Sequence, residues 1–156
     1  MRYRRPMSYR NAFSIIVVAV VATALTACGA PSGDADTGDP SLFEAEPDAR
    51  FTIDMRDVRF DVSEIEAPAG AVIAITFTNR GDIEHDFSIS EFAGTFAYRT
   101  ASVAHGHSTS RAVHMALRPG DTGEVRLRVP DAGGVEFFCD VAGHRRAGMS
   151  GIIAFR

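Results

Sequence analysis

The sequence predicts an all-β domain, either a sandwich or a barrel. From Phe51 to Arg156 the chain consists of short runs in which apolar and polar residues alternate, separated by turn residues. The runs recur roughly every 8 to 12 residues, as they do in sandwiches and barrels. The region lacks the apolar repeat of an amphipathic helix, so helices are not predicted. About 106 residues are enough for one domain with its own core.

Six runs are predicted to be strands. The first alternates, and the second is rich in β-branched residues and lies between the turn sequences APAG and NRGD. The next two also alternate, and the last two frame a C-terminal loop. In chain order the runs are FTIDMRDVRFDV, AVIAITFTN, HDFSIS, EVRLRV, VEFFC and GIIAF. We expect residues 91–117 to hold two further strands and a long loop.

Residues 1–27 have the order of a secretory signal. Four arginines and no acid precede an apolar run that is short for a helix crossing about 30 Å of hydrocarbon. Residues 25–28, LTAC, resemble the lipobox of bacterial lipoproteins, which implies that Cys28 becomes the lipid-modified first residue. Acyl chains there would anchor the protein to a cell membrane on its extracytoplasmic, periplasmic face. An uncleaved anchor, or secretion with a free Cys28, is the alternative.

Residues 28–50 are predicted to be a flexible acidic tether, because they have few bulky apolar groups to offset the entropy of ordering. The folded domain is therefore predicted to span residues 51–156. All 20 acidic residues lie beyond Cys28, against 12 of the 16 arginines, which gives the mature chain a net charge of about −8. This balance disfavours nucleic acid as a partner.

Cys139 has no disulfide partner if Cys28 carries lipid. A free thiol in an oxidising compartment is readily oxidised or mispaired, so we expect something to occupy it. His144 and Met149 follow it on one loop between the runs VEFFC and GIIAF. A thiolate, an imidazole and a thioether form a soft set of ligands that suits copper.

His85 supplies a second imidazole. It begins the run HDFSIS directly after a turn, which predicts a position at the end of a strand. Two histidines, one thiolate and a weak axial methionine make up the blue-copper electron-transfer site. Taken singly, such side chains are more often structural than metal-bound. Their order, spacing and strand context together favour a shared metal ion.

With these four residues the chain resembles the small blue-copper proteins, the cupredoxins of the plastocyanin and azurin type. The family pattern is a histidine after an Asn-containing turn, followed near the C-terminus by aromatic-Cys, His and Met on one loop. The resemblance covers residues 51–156 and includes LRPGDTGEVRLRV, which looks like the turn and strand before the ligand loop. It implies a single-domain Greek-key β-sandwich with one type 1 copper ion bound by His85, Cys139, His144 and Met149.

The resemblance also implies an electron carrier without catalytic turnover, a monomeric domain that shuttles single electrons between redox partner proteins. The C-terminal histidine ligand commonly serves as the electron port in this family, which would give His144 that role. Arg145 and Arg146 depart from a purely apolar rim. They would dock an acidic redox partner, or would simply be solvated.

Residues around the site are expected to tune it. We expect a backbone amide to bond the sulfur of Cys139, and Asn79 or Asp86 to stiffen the loop that carries the first histidine. An apolar shell is expected from three phenylalanines, Phe87, Phe137 and Phe138.

Three histidines, His105, His107 and His114, are not needed by this site. The HGH pair is of the kind that lines the trinuclear cluster of multicopper oxidases, but those enzymes need several pairs and more than one domain. We interpret the three as solvated loop residues, with a weak second metal site at His105 and His107 as the alternative.

Other functions remain open from the sequence alone. They are a copper delivery or storage module, a subunit that feeds electrons to a membrane oxidase or reductase, and an adhesion-type sandwich without metal. Delivery sites generally use exposed methionines and histidines, whereas the thiol of Cys139 follows directly on a predicted strand, which argues against delivery.

Overall fold

The structure is a computed structural model that describes residues 35–100 and 111–156. These residues form eleven strands in two sheets. Two short 3₁₀ turns, Pro40–Phe43 and Arg145–Ala147, accompany them. The strands are β1 (Ala35–Gly38), β2 (Ala49–Arg56), β3 (Arg59–Phe60), β4 (Glu64–Ala67), β5 (Val72–Asn79), β6 (His85–Ile89), β7 (Thr95–Thr100), β8 (Val113–Leu117), β9 (Thr122–Arg128), β10 (Gly133–Phe138) and β11 (Ser150–Phe155).

The two sheets form a β-sandwich, which confirms the predicted fold class. The six-stranded sheet has the order β1-β7-β9-β5-β2-β3, and the five-stranded sheet has the order β4-β11-β10-β6-β8. β2 is parallel to β5 and β4 is parallel to β11, while the other pairs are antiparallel, so both sheets are mixed. All six predicted runs overlap strands, and β7 and β8 are the two expected within residues 91–117. No helix in the described ranges is long and apolar enough to cross a bilayer.

The core lies between the sheets and is richest in aromatic rings beneath one end of the sandwich. Phe87 lies 4.6 Å from Phe77 and 5.7 Å from Phe137, measured between ring centroids, and all three are fully buried. Burying each such ring contributes about 1.5–3 kcal/mol. Phe87 lies two positions after His85, and Phe137 lies two positions before Cys139. The cluster therefore holds the ends of β6 and β10 in place.

The first predicted run is divided into two strands. The chain turns at Asp57, whose φ of 48° lies in the left-handed region. β2 and β3 then pair as a short hairpin, with Met55 opposite Phe60. An alternating pattern does not reveal such a break, because both halves keep the same apolar–polar period.

The flexible tether predicted for residues 28–50 is wrong for the part that the structure describes. β1 pairs along its length with β7 as the edge strand of the larger sheet. Gly38 ends this strand with φ 101°, and an added Cβ there would lie 2.2 Å from the carbonyl oxygen of Phe96. The folded domain therefore includes Ala35 and does not begin at residue 51. Residues 28–34 lie outside the described ranges.

A small second core holds this N-terminal segment. Leu42 is 2 % exposed and packs against Val72 and Ala97. Arg126 donates to the carbonyl oxygens of Leu42 at 3.0 Å and Ala45 at 2.6 Å. The segment before β2 has few apolar residues. It is ordered by the burial of Leu42 and by the two hydrogen bonds that Arg126 donates to its backbone.

Candidate metal centre

Three potential ligand side chains meet at one end of the sandwich. The sulfur of Cys139 lies 3.4 Å from Nδ1 of His144 and 3.9 Å from Nδ1 of His85. One ligand atom from each residue lies within 4.8 Å of the others. Cys139 and His85 are fully buried, whereas His144 is partly exposed. The arrangement is thus a buried sulfur–nitrogen pair with one imidazole at the surface.

The loop between β5 and β6 fixes the imidazole of His85. Asn79, fully buried, donates from its side-chain amide to the carbonyl oxygens of Ile83 at 2.7 Å and Leu117 at 2.8 Å. Its side-chain oxygen accepts the N–H of Gly81 at 2.9 Å. A Cβ on Gly81 would lie 2.8 Å from Nε2 of His85. The glycine therefore makes room for the imidazole, and the expected stiffening role of Asn79 agrees with these contacts.

The loop between β10 and β11 carries the other residues and is closed by its own backbone. The N–H of Cys139 donates to the carbonyl oxygen of Met149, and the N–H of Met149 donates to that of His144, both at 3.0 Å. Gly148 ends the 3₁₀ turn with φ 101°, a conformation that favours glycine. Met149 is fully buried. These bonds hold the three side chains on one short, rigid segment.

Burial and hydrogen bonding set the acidity of the thiol. Burial raises the pKa of Cys139 to about 11, and the backbone amides of Asp86 and Val141 act in the opposite direction. The amide of Asp86 donates to the sulfur at 3.3 Å, as the sequence led us to expect. Without metal the thiol is therefore protonated at neutral pH, and a metal ion that binds there must displace the proton.

The buried imidazole is disposed to stay neutral. Burial lowers the pKa of His85, and the neighbouring imidazole of His144 lowers it further, while the carboxylates of Asp86 and Asp57 oppose this. A neutral imidazole has a free lone pair and is the form that binds metal ions. The ring centroids of the two histidines lie 5.2 Å apart, close enough for both rings to face one ion.

The geometry of these donors fits a first-row transition metal. Sulfur and nitrogen ligands bind zinc, a metal of similar size to copper, at about 2.3 and 2.0–2.1 Å, which separates the two ligand atoms by roughly 3.6–3.8 Å at trigonal or tetrahedral angles. The observed separations of 3.4 and 3.9 Å bracket that range. Imidazole and thiolate donors with a thioether nearby favour copper over hard cations. The residues present therefore fit a copper ion.

Comparison with known proteins identifies the family of the chain. The profile of the cupredoxin-like domain family matches residues 15–149. The chain belongs to this family. A copper-resistant cuproprotein CopI from Rubrivivax gelatinosus is 33 % identical to this cupredoxin over 134 residues, which cover 82 % of the chain and 79 % of the relative.

Solved structures support the same fold. Auracyanin B superposes with a TM-score of 0.55 and 17 % identity, covering 72 % of this chain and 91 % of that one. A multicopper oxidase from Campylobacter jejuni superposes with a TM-score of 0.53 and 16 % identity, covering 71 % of this chain and 30 % of the oxidase. At these identities the two structures show the sandwich architecture alone.

The expected apolar shell of the cupredoxin is confirmed for two of its three phenylalanines. Phe87 and Phe137 belong to the core beneath the candidate ligands. Phe138 alternates to the outer face of its sheet, where the guanidiniums of Arg111 and Arg145 lie 5.0 and 4.0 Å from its ring centroid. The two guanidiniums cover the ring of Phe138 through cation–π contacts. Phe138 therefore does not belong to the core cluster beneath the candidate ligands.

The remaining predicted residues are divided between the surface and the undescribed ranges. Arg146 is exposed at the ligand loop. Arg145 is exposed as well, but it forms a salt bridge with Glu136. Cys28, His105 and His107 lie outside the described residues.

Sequence reasoning missed a polar layer on the other side of the ligands. Asp86 and Ser88 are fully buried, although strand alternation points them away from the core. His114, interpreted as a solvated loop residue, lies instead within β8, with Nε2 3.6 Å from Oδ2 of Asp86. Two polar residues at alternate positions of a six-residue run were the available signal, but it equally describes an exposed face.

Proposed function

We propose that this cupredoxin binds one type 1 copper ion and carries single electrons. The observation that supports it best is the convergence of Nδ1 of His85, Nδ1 of His144 and the sulfur of Cys139, with separations of 3.4 and 3.9 Å from the sulfur. Met149, buried on the same loop, would supply a fourth, weaker sulfur ligand. When bound, copper supplies a one-electron couple between its cuprous and cupric states.

The protein's contribution is a centre that hardly rearranges when the electron arrives or leaves. The bonds of Asn79 to two carbonyl oxygens fix one imidazole, and the backbone bonds among Cys139, His144 and Met149 fix the other ligands. The amide of Asp86 holds the sulfur from behind. A trigonal set of two imidazoles and one thiolate is a compromise between the preferences of Cu(I) and Cu(II), so reorganisation is small.

His144 is the proposed electron port, because it is the partly exposed ligand while His85 is buried. Its surroundings include exposed small residues, among them Gly143 and Ala147. Ile83, in the loop before β6, is 50 % exposed. Apolar surface with a few charges at its edge suits a short-lived complex with another redox protein. We propose that Arg145 and Arg146 favour an acidic partner there.

The proposed place of action is the extracytoplasmic face of a membrane, reached through a lipid anchor at Cys28. The support is the order of residues 1–28, with arginines, an apolar run and LTAC. The protein is proposed to act without catalytic turnover, as a monomeric carrier between redox partners. Replacement of Cys28 by Ser tests the anchor, since the protein should then be released from the membrane fraction, and persistent association would contradict the lipid anchor.

A second candidate is a role in copper tolerance by binding or delivering the ion. It is favoured by the relative in Rubrivivax gelatinosus, which is described as a copper-resistant cuproprotein. A delivery protein needs to release its ion, whereas here a buried thiol and a backbone-closed loop favour retention. Strong binding of Cu(I) by a colourless protein would favour delivery.

Optical spectroscopy separates the two functions. The purified protein loaded with Cu(II) is expected to show an intense visible band from sulfur-to-copper charge transfer, which bleaches on addition of one electron per copper and returns on oxidation. Cys139→Ser should lack the band. A wild-type protein that stays colourless with Cu(II) would contradict the electron-carrier proposal.

A further inference from the structure

Three polar side chains lie close together on the outer face of the five-stranded sheet, where Asp86 and Ser88 are fully buried and His114 is partly buried. Ser88 is paired with His114 across β6 and β8, and Asp86 is the next outward-facing residue of β6. Both carboxylate oxygens of Asp86, the hydroxyl of Ser88 and Nε2 of His114 are buried and have no hydrogen-bond partner among the described residues. Buried polar atoms of this kind are rare in folded proteins and call for a functional reason.

Asp86 is linked to the thiolate more closely than its neighbours. Its backbone amide donates to the sulfur of Cys139 at 3.3 Å, and its side chain is only 1 % exposed. The nearest basic group with a described contact is His114, whose Nε2 lies 3.6 Å from Oδ2. A buried carboxylate that receives no hydrogen bond is poorly screened, so its field reaches the adjacent sulfur with little attenuation.

A second carboxylate beside the sulfur lies in a different environment. Asp140 follows Cys139 in the chain and accepts two hydrogen bonds from the guanidinium of Arg111, at 2.9 and 3.1 Å. This bidentate pair cancels most of its charge at a distance. Of these two carboxylates, Asp86 is therefore the one that no arginine of the described residues neutralises, and its nearest described basic group is the imidazole of His114 at 3.6 Å.

We propose that Asp86 sets the electron affinity of the copper centre by placing a buried negative charge behind the thiolate. The inference rests on the proposed function as a type 1 copper carrier. A cupric ion with a thiolate carries one positive charge more than a cuprous ion with the same ligands, and a nearby carboxylate stabilises the more positive state. Asp86 thus favours the oxidised centre and lowers its reduction potential.

The experiment compares Asp86→Asn with Asp82→Asn in the full-length protein. Each change removes one negative charge, and each keeps the backbone amide. Asp82 is exposed in the loop before β6, so its charge is screened by water. The readouts are the reduction potential, the affinities for Cu(II) and Cu(I) measured separately, and the paramagnetic-resonance spectrum of the cupric form.

For Asp86→Asn the equilibrium with a reference redox couple should shift at least about tenfold toward Cu(I), which is 59 mV for one electron. Affinity for Cu(II) should fall by the same factor, while affinity for Cu(I) should change little. The spectrum should be retained, because the amide still bonds the sulfur. For Asp82→Asn the shift should be no more than about twofold.

An Asp86→Asn shift no larger than that of Asp82→Asn would overturn the inference. So would a loss of the type 1 spectrum in Asp86→Asn, since the residue would then act on geometry and not through charge. If Asp86→Asn does not fold, Asp86→Ser removes the same charge with a smaller side chain and is held to the same two criteria. A wild-type protein without a reversible charge-transfer band would instead refute the proposed function before any variant is compared.

Discussion

The two ends of the sandwich differ in what their backbone hydrogen bonds hold in place. At the far end, defined by the turns at residues 68–71 and 129–132, backbone groups pair with one another, as when Gly70 donates to the carbonyl of Pro130 at 3.1 Å. At the ligand end, defined by residues 80–84 and 139–149, backbone bonds instead orient side chains such as His85 and Cys139. The far end closes the fold, whereas the ligand end buries polar atoms that have no hydrogen-bond partner among the described residues.

The ligand end carries a cost in stability that the far end does not. Within residues 35–100 and 111–156, Nε2 of His85 and both carboxylate oxygens of Asp86 are buried without hydrogen-bond partners, and each such group costs roughly 1–3 kcal/mol. The aromatic core beneath, with Phe77, Phe87 and Phe137, supplies the compensating burial. Substitutions at the ligand end should therefore change metal binding, while matched substitutions at the far end should change stability alone.

The largest effect is expected from Cys139→Ser. The change removes the soft sulfur ligand. Substitution of a residue that only supports a ligand typically lowers metal affinity about 10- to 100-fold, and the loss for Cys139→Ser should be larger. Val135→Ala, on the same strand but toward the far end, is the control. Val135 packs on the core, so its loss should cost about 1 kcal/mol of unfolding free energy with unchanged copper affinity. Equal affinities of the two variants in a copper titration would contradict the assignment of the thiol.

Gly81→Ala should come next. Its new Cβ would lie 2.8 Å from Nε2 of His85 and 3.1 Å from the backbone nitrogen of Asp57, which forces the imidazole away. Copper affinity should fall about 10- to 100-fold. Gly133→Ala is the far-end control. Its φ of 108° makes alanine strained, but no atom of the described residues outside its chain neighbours lies within 4 Å of the added Cβ. Calorimetry should show lower stability and full copper binding for the control, and a Gly81→Ala protein with unchanged affinity would refute the steric argument.

The metal-free protein should lose stability in alkali. The pKa of Cys139 in the folded state is raised from 9.0 to about 11, so the folded protein holds this proton longer than the unfolded chain does. Stability from the buried thiol is complete below pH 9 and declines as pH rises toward 11, by about 2–3 kcal/mol. Denaturant titrations across this range test it, and Cys139→Ser should lack this part of the pH dependence. Identical curves for both proteins would show that the thiol does not titrate as described.

The smallest effect is expected from Met149→Leu. Copper should be retained, because three ligands remain, and the potential should rise by an amount on the order of 59 mV as the axial donor is replaced by an apolar group. Met115→Leu is the control, because this methionine is equally buried but lies within β8. Voltammetry of both variants decides the point. Equal potentials would exclude Met149 as the axial ligand.

The fold, and the convergence of His85, Cys139 and His144, could largely be predicted from the sequence for physical reasons. Alternation with a period of two makes β9 and β11 recognisable without long-range information, and a β-branched run between two turn sequences does the same for the almost fully buried β5. The ligand loop is recognisable because Cys139, His144 and Met149 are close in the chain, and the structure closes them with local backbone bonds.

What the sequence did not reveal depends on partners far away in the chain. The segment before β2 is ordered by Arg126, which lies 84 residues after Leu42, and composition alone cannot show such a contact. The burial of Asp86 and its contact with His114 were not predicted, because alternation puts both residues on an outer face, where charged residues are normally solvated. Only the three-dimensional arrangement shows that this face is buried beside the thiolate.

The decisive experiment for the proposed copper centre is paramagnetic resonance of the Cu(II)-loaded protein, recorded together with its visible spectrum. Coordination by His85, Cys139 and His144 predicts a narrow copper hyperfine splitting and an intense sulfur-to-copper band, because electron density is shared with the sulfur. A wide splitting typical of tetragonal nitrogen and oxygen ligands, with no such band, would contradict the proposed copper centre.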